Sequence, residues 1–277
     1  MPIITISRQM GTGAYKIAQD VAKKLRYTLV DGQKIAEVAA KYGLKQEVLE
    51  RVDEKPPVYR TVDDRLQAAN LNTIELILLD FARKGNVVIY GRGGQDLLQG
   101  MGNVLRLRFV APFEDRVEHF AEREWIDPDL ARELIRKCDH QRGGFIHFYF
   151  NRDWNDPLGY DLHFNTAHMS HAAIVDSIVA AAKDPRLKAA DNETKEFLED
   201  IILCKKVETE LLKSKKVEYL HFKIAVNEGG VTLSGHVHTE SERGEAVKIA
   251  GRVEGIAEVV DQLQVVNYKA YKEEVRW

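Results

Sequence analysis

Regular alternation of strand-like and helical segments is the feature that most constrains how this chain folds. Short β-branched or apolar runs recur along its first two thirds, each followed by a turn and a helical pattern, at residues 3–6, 27–30, 87–90, 104–110 and 160–165. Buried strands that alternate with helices form parallel sheets covered by helices on both faces. The sequence therefore predicts an α/β domain over residues 1–183, a parallel sheet flanked by helices.

A different order follows this domain. From Lys183 to Lys195 the chain is polar and loses its periodicity, which predicts a linker at 184–196. A helical segment then precedes two alternating strands, joined by Asn227-Glu228-Gly229-Gly230, and a further helix and strand. A tight glycine turn between alternating runs is typical of a β-hairpin. We expect a small α+β domain of order αββαβ at 197–267 and a tail at 268–277.

Composition and charge exclude several classes of protein. The 40 Lys and Arg residues nearly balance the 43 Asp and Glu residues, which disfavours a protein that wraps nucleic acid. No apolar run is long enough to span a bilayer, and the N-terminus does not resemble a secretion signal. The spacing of Cys138 and Cys204, and of the histidines at 163, 168 and 171, predicts no metal site. We expect a globular cytoplasmic protein without a nucleic-acid partner or a transmembrane segment.

A glycine turn joins the first strand to the first helix. Glycines allow backbone N–H groups to converge on an anion, and a helix start adds unsatisfied donors. The turn departs from the GxxxxGK[ST] pattern, because Arg8 stands at the first glycine position and Ala14 at the lysine position. Taken alone, it is either a phosphate site or a structural βα turn. The candidate cofactor-binding residues are Gly11, Thr12, Gly13, Ala14, Tyr15 and Lys16.

Several separated segments of the predicted α/β domain share one pattern. They are ISRQMGTG at 6–13, Asp31, Glu54-Lys55, Gly91-Arg92, and the stretches 111–116, 137–142 and 152–157. Together they resemble the cytidylate-kinase-like family, a branch of the P-loop nucleoside monophosphate kinases whose own loop also lacks the usual lysine. The resemblance implies an ATP- and Mg²⁺-dependent kinase that acts on nucleotide substrates, with CMP or dCMP as the expected acceptor.

The resemblance also suggests roles for individual residues near the strand ends. Arg8 is expected to reach the β- or γ-phosphate in place of the missing lysine, because a guanidinium group binds phosphate in bidentate geometry; an exposed loop arginine is the alternative. Arg92 resembles the arginine that grips the acceptor monophosphate. For Asp31, orientation of the acceptor and simple helix capping both stay open. For Lys16, a phosphate contact and a solvated side chain stay open.

An arginine-rich segment from 116 to 142 resembles the lid that closes over ATP in monophosphate kinases. The family has an Arg-x-x-x-Asp-x-x-Arg arrangement here, of which Asp139 and Arg142 keep the last two positions. Ile135 stands in the first position, with Arg136 beside it. The other lid arginines are equally compatible with surface salt bridges. The residues predicted to be catalytic are Arg8, Asp139 and Arg142, and those predicted to bind the acceptor are Asp31 and Arg92.

The second domain carries its own resemblance. The glycine-centred hairpin at 226–237 and the segment AGRVEGIAEVVD at 250–261 are similar to the BON domain. This resemblance implies a binding module for a small ligand, a protein or a phospholipid headgroup. Two functions therefore stay open: a kinase that this module regulates, and a catalytically inactive nucleotide-binding adaptor that acts through it. An acceptor that is not a nucleotide is a third.

Overall fold

The computed structural model describes residues 2–45, 48, 49, 54, 56, 62–218 and 222–266. The predicted tail at 268–277 and the Lys55 of the family pattern lie outside the described residues. The chain divides into two compact units, the first comprising Met1–Val58 and Asp80–Lys195 and the second Tyr59–Leu79 and Glu196–Trp277.

A parallel sheet forms the centre of the first unit. Its strands are β1 (Ile3–Arg8), β2 (Thr28–Val30), β3 (Val87–Tyr90), β4 (Val104–Val110) and β5 (Leu162–Asn165). Their order is β2-β3-β1-β4-β5, and each neighbouring pair is parallel. The carboxyl end of β1, at Arg8, therefore lies in the middle of the sheet edge. The predicted parallel α/β sheet is confirmed.

Helices flank this sheet. The helices of the first unit are α1 (Ala14–Leu25), α2 (Gly32–Ala39), α4 (Gly94–Leu97), α5 (Phe113–Glu124), α6 (Pro128–Phe150), α7 (His171–Ala181) and α8 (Pro185–Ala189). Helix α3 (Val62–Lys84) has residues in both units. Ile4 and Ile6 point to the face that α1 and α7 cover, where Ile17 and Ile178 join them in one apolar cluster. Alternate residues of β1 point to the opposite face, and Ser7 is buried there.

Two helical stretches differ from the expectations. Helix α3 was not predicted, and the division between the units falls inside it, since its residues up to Leu79 belong to the second unit. The predicted linker at 184–196 is helical, formed by α8 and by the start of α9 (Asp191–Lys213). Asp184 accepts a hydrogen bond from the Arg186 amide at the start of α8. These helical turns consist of polar residues with high helix propensity. They have no apolar stripe, so the sequence shows no helical periodicity there.

The second unit has a smaller sheet. Its strands are β6 (Phe222–Asn227), β7 (Gly230–Val237) and β8 (Glu258–Val265), with α10 (Glu240–Gly251) between the last two. Strands β6 and β7 are antiparallel, whereas β7 and β8 are parallel. Glu228 and Gly229 have φ angles of 49° and 78°, as a two-residue hairpin turn requires. The predicted hairpin and αββαβ order are confirmed.

Part of α3 contributes to the second unit. The Lys205 ammonium lies 2.9 Å from the Glu75 carboxylate and 3.1 Å from the Glu208 carboxylate. Asn72 donates a 3.2 Å hydrogen bond to Glu208. Burial raises the pKa of Glu75, and Lys205 only partly opposes this effect. Residues 72 and 75 are therefore structural members of a unit that the sequence pattern places entirely after residue 196.

None of the described helices combines the length and the apolar character that crossing a membrane requires.

Candidate active site

The turn after β1 is shaped by two glycines. Gly11 and Gly13 have φ angles of 85° and 71°, and Gly13 is the N-cap of α1. A Cβ atom on Gly11 would lie 2.6 Å from the carbonyl oxygen of Arg116, so only glycine fits there. The first turn of α1 carries no acidic residue that would neutralise its positive end. These features favour an anion at this helix start.

Asp139 braces the same turn. Its carboxylate accepts a 2.9 Å hydrogen bond from the Met10 amide and a 2.6 Å hydrogen bond from the Arg116 guanidinium. Arg116 also donates to the carbonyl oxygen of Met10, at 3.0 Å. Both oxygens of Asp139 therefore accept hydrogen bonds from protein groups, one from the turn and one from Arg116. The geometry makes Asp139 a positioning residue for the turn, and a direct catalytic role for it stays a prediction.

Arg8 and Arg142 meet on one buried carboxylate. Arg8 donates to both oxygens of Glu54, at 2.9 and 2.8 Å, and Arg142 donates from Nε to one of them at 3.1 Å. Arg142 also reaches the carbonyl oxygen of Arg8, at 3.3 Å. Burial by itself raises the pKa of Glu54, but the two arginines outweigh it and hold that pKa well below its usual range. The structure thus brings together two of the predicted catalytic residues, and adds Glu54.

A strained loop after β3 completes this cluster. Gly91, Arg92 and Gly93 have consecutive positive φ angles of 76°, 59° and 69°. The Arg92 amide donates a hydrogen bond to Glu54. The Gly94 amide donates to the Gly91 carbonyl oxygen and closes a turn, and successive backbone N–H groups in turns form concave anion sites in proteins. The loop therefore presents its backbone as well as the Arg92 side chain, which lies near Gly32 at the start of α2.

Asp31 and Lys16 have local partners. Asp31 caps α2 by accepting a 2.9 Å hydrogen bond from the Lys34 amide, and its other oxygen accepts a 2.7 Å hydrogen bond from the Tyr15 hydroxyl. Lys16 is exposed and pairs with Asp20 at 3.1 Å. In the structure Asp31 therefore caps a helix, and Lys16 has a solvated side chain. Their contacts with a substrate stay predictions.

A buried arginine lies beneath the turn, and no local sequence pattern singles it out. Arg108, in β4, is 2% exposed and stacks on Trp154, with its guanidinium carbon 3.6 Å from the ring centroid. It donates to the Ser7 hydroxyl at 2.9 Å and to Asn155 at 3.2 Å. Burial lowers its pKa to about 10. The sequence signal that could have identified Arg108 is a charged residue within the apolar run that forms β4.

Ser7 links Arg108 to the loop that follows α6. The Trp154 indole N–H donates to the Ser7 hydroxyl oxygen at 2.9 Å, and the Tyr160 hydroxyl lies 3.3 Å from the same oxygen. Tyr160 donates its own proton to the carbonyl oxygen of Trp154, at 2.9 Å. The Ser7 proton therefore points to Tyr160, and each of these donors has an acceptor. The chain of hydrogen bonds fixes the end of β1, directly before Arg8.

The lid segment is occupied by packing and surface contacts. Ile135 is fully buried and packs with Val117 and Phe120. Arg136 lies over the Phe113 ring, with its guanidinium carbon 4.9 Å from the centroid. Arg132 forms ion pairs with the exposed residues Glu114 and Asp129. The position where the family pattern has an arginine thus serves the core between α5 and α6.

A cavity of about 490 Å³ adjoins the glycine turn. Thr12 and Gly13 line one side, His119 lines another, and Thr166 and His171 follow β5. Its volume lies within the range of small-molecule sites. One end of this cavity lies at the start of α1, where Gly13 and Lys16 line it.

A phosphate-type turn after the central strand, with arginines gathered at the same sheet edge, is the architecture of P-loop kinases. Residues 3–168 match the model of the cytidylate kinase-like family, and residues 199–267 match the model of the BON domain. Since the first match covers more than half of the chain, the chain belongs to the cytidylate kinase-like family. Fold and family together identify a nucleotide kinase.

Individual relatives agree with this assignment. The chain is 29% identical over 187 residues to a cytidylate kinase of Methanocaldococcus jannaschii, covering 66% of this chain and 97% of that protein. It is 30% identical over 84 residues to the osmotically-inducible protein Y of Escherichia coli, covering 30% of this chain and 42% of that protein. An uncharacterized protein from Eubacterium ventriosum shares the fold, with a TM-score of 0.53, 19% identity, and coverage of 66% of this chain and 99% of that chain.

Proposed function

We propose that this chain transfers the γ-phosphoryl group of ATP to a nucleoside monophosphate, with CMP or dCMP as the expected acceptor. One observation carries the proposal. Arg8, Arg142 and the backbone of the Arg92 loop converge on a single buried point at the sheet edge, beside the glycine turn. Phosphoryl transfer depends mainly on holding donor and acceptor in line and on neutralising the charge of the moving oxygens. Converging guanidinium groups supply that neutralisation.

The donor nucleotide fits the turn and the adjoining cavity. Residues Gly11 to Lys16 and the start of α1 would hold the ATP phosphates, and the cavity of about 490 Å³ would hold the nucleoside. Mg²⁺ would arrive with ATP and supply further charge neutralisation. Among the described residues there is no cluster of three or more His, Cys, Asp or Glu that could hold a metal. Mg²⁺ is usually held by phosphate oxygens, water and one or two carboxylates.

The acceptor would bind on the β2 and β3 side of the sheet. Arg92 lies close to the start of α2, and Asp31 caps that helix, so both side chains are in reach of one small ligand. Arg8 and Arg142 would bind the transferred group, and Asp139 would hold the turn in place. Nucleoside monophosphates and ATP are cytoplasmic metabolites, which supports a cytoplasmic location.

The C-terminal part would act as a binding or regulatory module. Residues 1–183 would carry the transfer, and residues 197–267 would bind a small ligand, a protein or a phospholipid headgroup. The match to the BON domain at 199–267 supports this division of labour. The segment at 184–196 would connect the two parts.

The test is ADP release from the purified full chain with Mg·ATP, against a panel of nucleoside monophosphates and a control without acceptor. Turnover with CMP or dCMP is the expected result. Arg142→Ala should reduce it at least a hundredfold, because an arginine on the transferred phosphate is worth about 10³ in rate or more. Arg186→Ala is the matched control, since Arg186 is 91% exposed and pairs only with Asp184 among the described residues. Tight ATP binding without turnover of any acceptor would count against the proposal and favour the adaptor.

A further inference from the structure

Glu54 lies at the point where the proposed kinase should bind phosphate. Its carboxylate accepts hydrogen bonds from the guanidinium groups of Arg8 and Arg142 and from the Arg92 amide. All three are donors of the kind that bind phosphate oxygens. The side chain of Glu54 is 10% exposed, so its carboxylate is held inside the cluster. One acidic side chain thus uses several donors that the acceptor or the transferred group would need.

The charges of the cluster favour a more highly charged anion than a carboxylate. Arg8 and Arg142 carry two positive charges, and Glu54 carries one negative charge. Arg108 is a third cation near this cluster, because burial lowers its pKa only to about 10; the nearby Asp139 carboxylate is already paired with Arg116. A phosphate monoester carries about −1.5 to −2 charges at neutral pH. It would therefore balance these arginines better than Glu54 does.

One donor of the cluster has no acceptor among the described residues. Arg8 Nε is buried and makes no hydrogen bond in this part of the chain, although Nη1 of the same guanidinium contacts Glu54. A buried N–H group without an acceptor is costly and rare. A carboxylate presents only two oxygens, whereas a phosphate group presents three or four. Nε and Nη1 face different edges of the guanidinium, so this N–H is a second point, apart from the contact with Glu54, at which Arg8 can bind an anionic oxygen.

The loop backbone is also shaped for an oxygen atom. A Cβ atom on Gly91 would lie 2.3 Å from a Glu54 oxygen and 2.5 Å from Arg8 Nη1. Its φ of 76° likewise favours glycine. The absence of a side chain therefore lets an anionic oxygen approach both the loop and Arg8.

We infer that Glu54 is an internal competitor of the transferred phosphate: its carboxylate occupies the anion site on Arg8 and Arg142 until a phosphate group displaces it. This inference rests on the proposed function. It predicts that the two arginines stay paired with Glu54 while no phosphate group is bound, and that phosphate binding must break these contacts. The competition weakens the affinity for phosphate and makes the arginines available only when a phosphate group is present.

The experiment compares two neutralising variants of the full chain. Glu54→Gln keeps the shape of the side chain and removes its charge. Glu114→Gln removes the same charge from an exposed residue, whose carboxylate pairs with Arg132 on the surface. The dissociation constant of inorganic phosphate is measured by calorimetry for the unmodified chain and both variants, with circular dichroism to verify folding.

We expect Glu54→Gln to bind inorganic phosphate about tenfold more tightly, roughly the effect of one charge-assisted hydrogen bond released for the ligand. Glu114→Gln should bind like the unmodified chain. Unchanged or weaker binding by a folded Glu54→Gln variant would overturn the inference, since it would mean that Glu54 only holds the arginines in position.

A crystal of the unmodified chain soaked in phosphate provides an answer that does not depend on any variant folding. Phosphate on Arg8 and Arg142, with the Glu54 carboxylate moved away, supports the inference. Phosphate bound elsewhere, with Glu54 still on both arginines, overturns it. Neither readout requires turnover. An unmodified chain that turns over no acceptor would therefore contradict the proposed function, while the phosphate measurements would still decide the role of Glu54.

Discussion

Two buried glutamates, one in each unit, respond to burial in opposite ways. Burial raises the pKa of both carboxyl groups. At Glu54, in the first unit, Arg8 and Arg142 outweigh that effect, and the pKa falls well below its usual range. At Glu75, in the second unit, Lys205 is the main opposing charge and is shared with Glu208, so the pKa stays raised.

The difference lies in which charge is in excess. Around Glu54 the cationic groups outnumber the carboxylates, so the cluster retains a net attraction for anions. Around Lys205 the carboxylates of Glu75 and Glu208 outnumber the cation among the described residues, so its positive charge is already balanced. The same type of buried ion pair therefore leaves an excess of positive charge at the candidate site of one unit and serves the internal structure of the other. Counting charges inside a buried network distinguishes these two roles.

Removal of a cation from the first cluster should have the largest effect. Arg8→Met is expected to lower kcat/KM for the acceptor about a thousandfold, because it removes a guanidinium group from the transferred phosphate. Arg8→Lys should recover part of this loss, since it restores the charge but not the paired N–H groups. The measurement is acceptor-dependent ADP formation by folded protein, with Arg186→Met as the exposed control. A loss of less than tenfold in Arg8→Met would remove Arg8 from the proposed site.

Removal of the cation from the second cluster should change stability. Lys205→Met leaves Glu75 and Glu208 close together without a counter-charge, and we expect the free energy of unfolding to fall by about 3 kcal/mol. Urea denaturation measures this change. Lys213→Met is the matched control, because Lys213 is half exposed and pairs with Glu210 on the surface, where such pairs contribute about 0.5 kcal/mol. Equal effects of the two variants would contradict a structural role for the buried cluster.

A third buried carboxylate sharpens the comparison through its pH dependence. Burial raises the pKa of Asp96 to about 6, although Arg152 lies 3.4 Å away and opposes the shift. The folded protein then binds a proton more tightly than the unfolded chain does, where an aspartate has a pKa of about 3.9. The contribution of protonated Asp96 to the free energy of unfolding is therefore fully present below about pH 4 and is lost as the pH rises through about 6.

The expected loss is about 2 kcal/mol of unfolding free energy between these two pH values. Asp96→Asn cannot titrate, so the stability difference between it and the unmodified protein should shift in favour of the variant as the pH rises. Denaturation of both proteins at a series of pH values from 4 to 7 measures this difference. A difference that stays constant across the series would show that Arg152 compensates fully for burial.

Most elements of the fold could be predicted because their signals are local. Strand β1, the glycine turn and α1 follow one another in sequence, and so do the two strands joined at Glu228 and Gly229. Helix α3 was missed, because its buried residues serve two units and leave no single apolar stripe to recognise. Helix α6 continues to Phe150, where the buried side chains of Phe145 and Ile146 pack its last turns.

In the candidate site, too, local features could be predicted from the sequence and long-range contacts could not. The sequence by itself determined the glycine turn between β1 and α1 and the family, and it singled out the arginines at 8, 92 and 142 as candidate site residues, because each belongs to a short pattern of adjacent residues. Only the tertiary structure decided that Glu54 lies between Arg8 and Arg142, 46 and 88 residues away along the chain, and that Arg108 lies buried nearby. The physical reason is that patterns of adjacent residues report local backbone preference. The charge balance of a site depends on which distant side chains the folded sheet brings together in a place from which water is excluded.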